Sequence, residues 1–321
     1  MDIIMKYIES MRDGEAIRGI YLCKQRTTAM TKNGKPYDNV ILQDKTGTVD
    51  AKIWEPKSMG IMDFSAMDYV DIKADVTTFN GGLQLNIKTA RLAAEGEYDT
   101  ADYFPTSTRD IEEMYSELLK RIASVQNQYL KKLLEMFFVE DEKFVKEFKK
   151  HSAAKTIHHS FIGGLLEHTL SVTNMCEYFC KAYPILNHDL LVTAAMLHDI
   201  GKVYELSSFP QNDYTDNGQL LGHIVIGYDI VGQKIRKIEG FPTKTARELE
   251  HCILAHHGEL EYGSPKKPAL AEAFALNLAD NADAKMETLT ELLMNTRPAD
   301  GTEWYGYNRA LDTNIRKTSA Q

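Results

Sequence analysis

The sequence predicts two domains: a small all-β barrel followed by an all-α helical bundle. Three observations carry that expectation. Five short strand patterns, parted by glycine turns, crowd residues 16–92. From residue 110 onward apolar positions recur at i, i+3 and i+4, the period of helices with one buried face. Along that helical half stands an ordered set of histidines and aspartates. A chain of 321 residues, 43% hydrophobic and 26% charged, is ordinary globular material long enough for two cores.

The β half comes first. Runs at 16–27, 39–44, 49–54, 69–79 and 83–92 are strand-like, with turns at Asn33-Gly34, Lys45-Thr46-Gly47 and Asn80-Gly81-Gly82 between them. Five such strands close most simply as a Greek-key barrel. The stretch Leu42-Gln43-Asp44-Lys45-Thr46-Gly47-Thr48-Val49-Asp50-Ala51-Lys52-Ile53-Trp54 resembles the nucleic-acid-binding OB folds of the tRNA-anticodon type. Such barrels stack bases on exposed rings and follow phosphates with cations. Tyr37, Trp54 and Phe79 are the candidate rings, with Lys35 and Lys52 among the cations beside them; Trp54, closing a strand, reads equally well as core.

Residues 1–98 are thus expected to form the barrel domain, 99–110 a polar linker containing Pro105, and 111–321 the helical domain. Helices are expected at about 110–123, 127–138 and 141–150. Five lysines between Lys143 and Lys155 make a modest basic patch, either a solvated face or a guide for a nucleic-acid strand. His158 and His159 precede Gly163-Gly164 and a helix stopped by Pro184, as phosphate contacts or as helix caps. Further helices are expected at about 188–204, 220–239, 244–257 and 268–295, with a polar loop between Tyr204 and Leu220. From Arg297 onward no period is visible.

The chemistry lies in His168, His198-Asp199, His223, His256-His257 and Asp280. Successive members fall about one helix plus one loop apart, so antiparallel helices can aim them at one inward point. Imidazole and carboxylate together suit one or two divalent ions: Mn, Co, Fe or Zn. Any one of these histidines alone reads as a hydrogen-bonded core residue. The full set does not, because burying so many titratable groups without a cation is prohibitive. The pattern His168, His198-Asp199, Asp280 resembles the HD superfamily of metal-dependent phosphohydrolases, and His223 with His256-His257 resembles the subset that holds two ions. That subset sometimes adds an acidic ligand one turn before the first histidine; here Gly164 stands there. The same resemblance favours Asp280 over Asp283.

A metal-bound water ionises near neutral pH and a metal polarises a phosphoryl oxygen, so hydrolysis of a phosphoester is the expected reaction. Asp199 and Lys202 are the candidate catalytic residues; Lys202 is placed to neutralise a phosphate oxygen in the transition state. No serine-histidine-acid elbow and no glycine-rich phosphate loop competes. The order of barrel, linker and HD domain is similar to the YhaM family of bacterial 3'-5' exoribonucleases. The shared stretches are Asp44-x-x-Gly47, His158-His159…Gly163-Gly164-Leu165-Leu166-Glu167-His168, His198-Asp199-x-Gly201-Lys202 and His256-His257-Gly258…Tyr262-Gly263-Ser264-Pro265. That resemblance implies manganese- or cobalt-dependent trimming of single-stranded RNA from its 3' end, with single-stranded DNA as a further substrate, and self-association into a homo-oligomer. The alternatives are a phosphohydrolase or phosphodiesterase of small nucleotides, which leaves the barrel without a role, and a non-enzymatic single-strand-binding factor, which leaves the ligand set without one.

The net charge of −9 argues against a generally basic nucleic-acid binder. Residues 161–321 hold most of it, with 14 basic and 21 acidic groups, part of which bound cations would offset. No apolar run reaches the roughly 18 residues of a membrane span. The four cysteines, Cys23, Cys176, Cys180 and Cys252, show neither CxxC spacing nor a secreted framework, so a reducing cytoplasm is the expected compartment.

Overall fold

The computed structural model describes residues 5–79, 81–155, 161–298 and 301–319. It divides into two units, Met1–Pro105 and Thr106–Gln321.

In the first unit the strands are β1 (Ala16–Met30), β2 (Pro36–Asp44), β3 (Gly47–Ile53), β4 (Tyr69–Phe79) and β5 (Gly82–Leu92). They close in the order β1-β2-β3-β5-β4. The long β1 serves two partners, pairing with β4 through Leu22 and with β2 from Leu22 onward, and its register shifts between Cys23 and Gln25. β3 and β5 pair in parallel, Asp50 opposite Gln84. This is the expected OB-like barrel. Alternate residues of each strand face inward, among them Val40, Leu42, Val49, Ala51, Ile53, Val70, Ile72 and Leu85. Asp38 and Asp44 share the inward side of β2, the first held by Arg26 and Thr28, the second by the Ile8 and Thr46 amides. Tyr98, just before the stretch expected as a linker, stacks on Tyr69, and the buried Tyr103 within it donates its hydroxyl to the Ile20 carbonyl at 3.0 Å. Apolar ring area thus holds that chain against the barrel as far as Pro105.

The second unit contains α1 (Ile111–Ser124), α2 (Gln128–Phe138), α3 (Glu142–Lys150), α4 (Gly164–Ala182), α5 (His188–Leu197), α6 (Lys202–Glu205), α7 (Asp216–Ile235), α8 (Thr243–Ala255) and α9 (Ala271–Asn295). Side-chain oxygens of Asp110, Asn127, Asp141 and Asn187 cap α1, α2, α3 and α5. Every α5 residue from Leu190 to Leu197 is buried, because this helix runs through the middle of the bundle against α2, α4, α8 and α9. α7 begins at Asp216, before the expected Leu220, because the Thr215 hydroxyl caps it at the Gly218 amide, 2.9 Å away. The bundle also carries a two-stranded hairpin, β6 (Trp304–Asn308) and β7 (Thr313–Arg316), where no element was expected. Both strands are largely exposed, so neither face imposes the alternation that would mark a strand in the sequence. No helix among the described residues is long and apolar enough to cross a membrane.

Candidate metal centre

Five helices bring the histidines and aspartates of the helical unit together. His168 lies on α4, and His198-Asp199 follow α5 directly. His223 lies on α7 just beyond a break at Gly222, whose φ of 72° is left-handed and takes the chain out of the helix. His256-His257 leave the end of α8, and Asp280 lies on α9. The approach of α6 to α7 needs glycine. A Cβ on Gly201 would lie 2.0 Å from the His223 carbonyl oxygen, and one on Gly218 would lie 2.1 Å from that of Glu205. Backbone therefore meets backbone, and His223 is drawn toward Asp199.

The donors form two groups, one on each oxygen of Asp199. Oδ2 lies 3.3 Å from the Nε2 of both His168 and His198, and His168 Nε2 lies 3.2 Å from Asp280 Oδ1. Oδ1 lies 3.4 Å from His223 Nε2 and 3.6 Å from His256 Nε2, and His257 completes that second group. Ligands about 2.1 Å from one ion stand about 3.0–3.4 Å from each other. The spacing is therefore that of two ligand sets sharing one carboxylate.

All five rings are turned the same way. The Nδ1 of His168 meets Asp283 at 2.7 Å, and that of His223 meets Glu205 at 3.0 Å. The backbone carbonyls of Ala195, Ile253 and Tyr262 accept from His198, His256 and His257 at 2.8, 2.7 and 2.8 Å. With Nδ1–H donating outward, every Nε2 lone pair is left facing Asp199 and its neighbours, the tautomer that metal ligands take. Asp280 and Asp283 thus divide between the two nitrogens of His168. Asp283 and Glu205 escaped the sequence reading as orienting groups, although the i, i+3 spacing of Asp280 and Asp283 on one helix face was a usable signal.

Electrostatics point the same way. Asp199 Oδ1, His223 Nε2 and His256 Nε2 are buried with no hydrogen-bond partner among the described residues. Three converging orphans are costly unless something binds them, and a divalent cation fits this donor set. Burial alone would raise the Asp199 carboxyl, but neighbouring positive charge, that of Lys202 first, holds it well below the usual carboxylate range. Burial pushes His256 down and, together with His256 itself, brings His257 to about 4. These imidazoles are neutral, and so able to ligate, at neutral pH. Lys202 Nζ sits 2.7 Å from Asp199 Oδ2, against the same ligand group.

A family model described as the HD domain matches residues 165–285. The 3'-5' exoribonuclease YhaM of Geobacillus sp. (strain WCH70) is 35% identical over 293 residues, covering 90% of this chain and 89% of that protein. The chain belongs to the YhaM family. Solved structures of lower likeness include the second OB-fold domain of replication protein A from Methanococcus maripaludis, 12% identical over 29% of this chain and 98% of that one, TM-score 0.24. An OB domain from Thermoplasma acidophilum is 16% identical over 29% of this chain and 87% of that one, TM-score 0.22. With the HD domain and this relative, the YhaM-family chain is a metal-dependent hydrolase.

The remaining candidates lie on the barrel or outside the described residues. Tyr37 and Trp54 stack at 5.3 Å with an interplanar angle of 29°. Trp54 is half exposed rather than core, and its indole N–H donates to Asn86 at 2.9 Å. Lys52 stands over the Tyr37 ring, while Phe79 and Lys35 are exposed at the adjoining strand and turn. His158 and His159 fall outside the described residues.

Proposed function

We propose that this YhaM-family chain hydrolyses phosphodiester bonds of single-stranded RNA from the 3' end, with single-stranded DNA as a further substrate. The observation that carries the reading is the single Asp199 carboxylate presenting one oxygen to each histidine group. His168, His198, Asp280 and Asp199 Oδ2 would hold one divalent ion; His223, His256, His257 and Asp199 Oδ1 would hold a second. Manganese is proposed first, with cobalt, iron or zinc as alternatives. Bound there, such ions supply a water ionised near neutral pH and a polarised phosphoryl oxygen. Asp283 and Glu205 keep two of the rings in register, and Lys202 offers its ammonium to a phosphate oxygen.

In this reading residues 1–98 guide the strand, 99–110 link, and 111–321 cleave. The Tyr37–Trp54 pair offers a stacking platform already held by Asn86, with Phe79, Lys35 and Lys52 around it. His158 and His159 are proposed as phosphate contacts. A cytoplasmic location and self-association belong to the same proposal.

The test is to offer Mn²⁺-loaded protein 5'-labelled RNA, mononucleotides and cyclic dinucleotides side by side. Stepwise shortening of the RNA from its 3' end is expected. Preference for either small substrate would overturn the reading. Trp54→Ala should raise KM for a long RNA about 5- to 150-fold, from roughly 1–3 kcal/mol per stacked base, and leave a dinucleotide unaffected.

A further inference from the structure

We propose that a cavity beyond the metal-facing side chains seats one terminal nucleotide, and that the hairpin tip at Ala310-Leu311 is the stop that makes cleavage exonucleolytic. The proposal rests on the exoribonuclease reading and adds the origin of its polarity. The cavity holds about 530 Å³. That is within the roughly 300–1,000 Å³ of small-molecule sites, room for one nucleotide.

Its lining joins two chemistries. One part of the lining is His168, His223, His257, Asp280 and Lys202; another is Ala310 and Leu311 at the turn between β6 and β7. Between them runs one face of α9, where Asn281, Ala284, Lys285 and Thr288 follow Asp280 at helical spacing. At 1.5 Å per residue, Asp280 to Thr288 spans about 12 Å. The wall suits a nucleoside. Lys285 has no ion-pair partner among the described residues, and the exposed Asn281 amide offers both donor and acceptor to a ribose or base edge. The Tyr262 ring is exposed for stacking, while its own carbonyl holds His257. A base stacked there is placed relative to the metal ligands by a single residue.

The tip is held rigid. The Asn308 side chain accepts from the Leu311 amide at 3.1 Å, and the Tyr307 hydroxyl donates to Asp312, itself at a left-handed φ of 51°. Arg309, Ala310 and Asp312 are exposed whereas Leu311 is half-buried. A lone two-stranded hairpin has little stability of its own. Here its strands face solvent and its apolar tip residue lines the cavity. An endonuclease must leave space for the chain on both sides of the cleaved bond. In this proposal Leu311 closes the side away from the metal ligands, and the downstream side admits one nucleotide.

Two variants test this with Mn²⁺ present, on a linear 3'-hydroxyl RNA and a covalently closed circle of the same sequence. In the full chain, Leu311→Trp should fill the far end, raising KM for the linear RNA at least tenfold with metal content and melting temperature unchanged. A chain ending at Pro298 should nick the circle, at least tenfold faster than the full chain, and release fragments longer than one nucleotide from the linear RNA. An unaltered KM in Leu311→Trp overturns the proposal, and that result decides alone if the shortened chain does not fold. A folded, metal-loaded shortened chain that still trims the linear RNA by single nucleotides and leaves the circle intact, or that has lost all hydrolysis, also overturns it. Cleavage of the circle by the unaltered chain would instead defeat the exoribonuclease reading.

Discussion

Asp38 in the barrel and Asp199 in the helical unit are equally withdrawn from water, at 1% and 2% exposure, yet their surroundings are opposite. Asp38 has both oxygens engaged: Arg26 donates to Oδ2 at 2.8 Å and Thr28 to Oδ1 at 2.7 Å. Asp71 is likewise held between Arg18 and Arg91. Asp199 has one oxygen against Lys202 and the other against imidazole nitrogens that have no partner either. A buried charge with a structural task finds its counter-charge within the chain. One with a chemical task is left incomplete, and the incompleteness shows where a ligand belongs.

The contrast is broken most sharply by Asp199→Ala, which removes the carboxylate common to both groups. Hydrolysis should fall at least about 1000-fold, about 4 kcal/mol in the barrier, and bound metal should be lost on elemental analysis. Full activity in a metal-analysed sample would remove Asp199 from the site.

Asp38→Ala should act in the other way. It removes the buried partner of Arg26 and Thr28, leaving Arg26 to Asp63 and the Phe64 carbonyl, and should cost about 1–3 kcal/mol in urea unfolding, with metal content unchanged. An unfolding midpoint equal to that of the unaltered chain would mean that Asp38 contributes no stability.

Asp283→Asn and Glu205→Gln sharpen the contrast within the site, since each loosens one ring. Metal affinity should drop about 10- to 100-fold, read by calorimetric titration with Mn²⁺. The Asp283 change should weaken the ion beside His168, and the Glu205 change the one beside His223. Identical effects on both binding steps would mean that the two groups are not separate.

The smallest effect is on pH. His257 lies at about 4 because burial, and then His256, disfavour its cation. Between about pH 4 and 6.5 the unfolded chain therefore binds the extra proton. Stability from this group is complete above about pH 6.5 and declines as pH falls toward 4, on the order of 1–3 kcal/mol. Metal-free His257→Gln should lose less melting temperature between pH 7 and 5 than the unaltered chain; equal losses would rule His257 out as the source.

How much was legible in advance varies with the reach of the interaction. The five strands could be located because alternation and glycine turns are local, and their number suggested a small barrel; that β1 closes on β4 is a long-range pairing no local pattern records. The hairpin at 304–316 could not, because strands exposed on both faces carry no period. The helix before His223 was placed late because its start is set by the cap at Thr215, outside the apolar repeat.

By itself the sequence singled out the candidates: a spacing of one helix plus one loop lets antiparallel helices bring His168, His198-Asp199, His223, His256-His257 and Asp280 within reach of one another. Only the tertiary structure decided how they face. Spacing says nothing about the rotation of a carboxylate, so the division of the Asp199 oxygens between two groups waited on the contact of Gly201 with the His223 backbone. The same holds for Asp280 and Asp283, three residues apart on α9 yet on opposite nitrogens of His168. Trp54 was open between core and surface for a related reason. Its exposure depends on where the strand ends against its neighbours, a matter of long-range packing that no local pattern records.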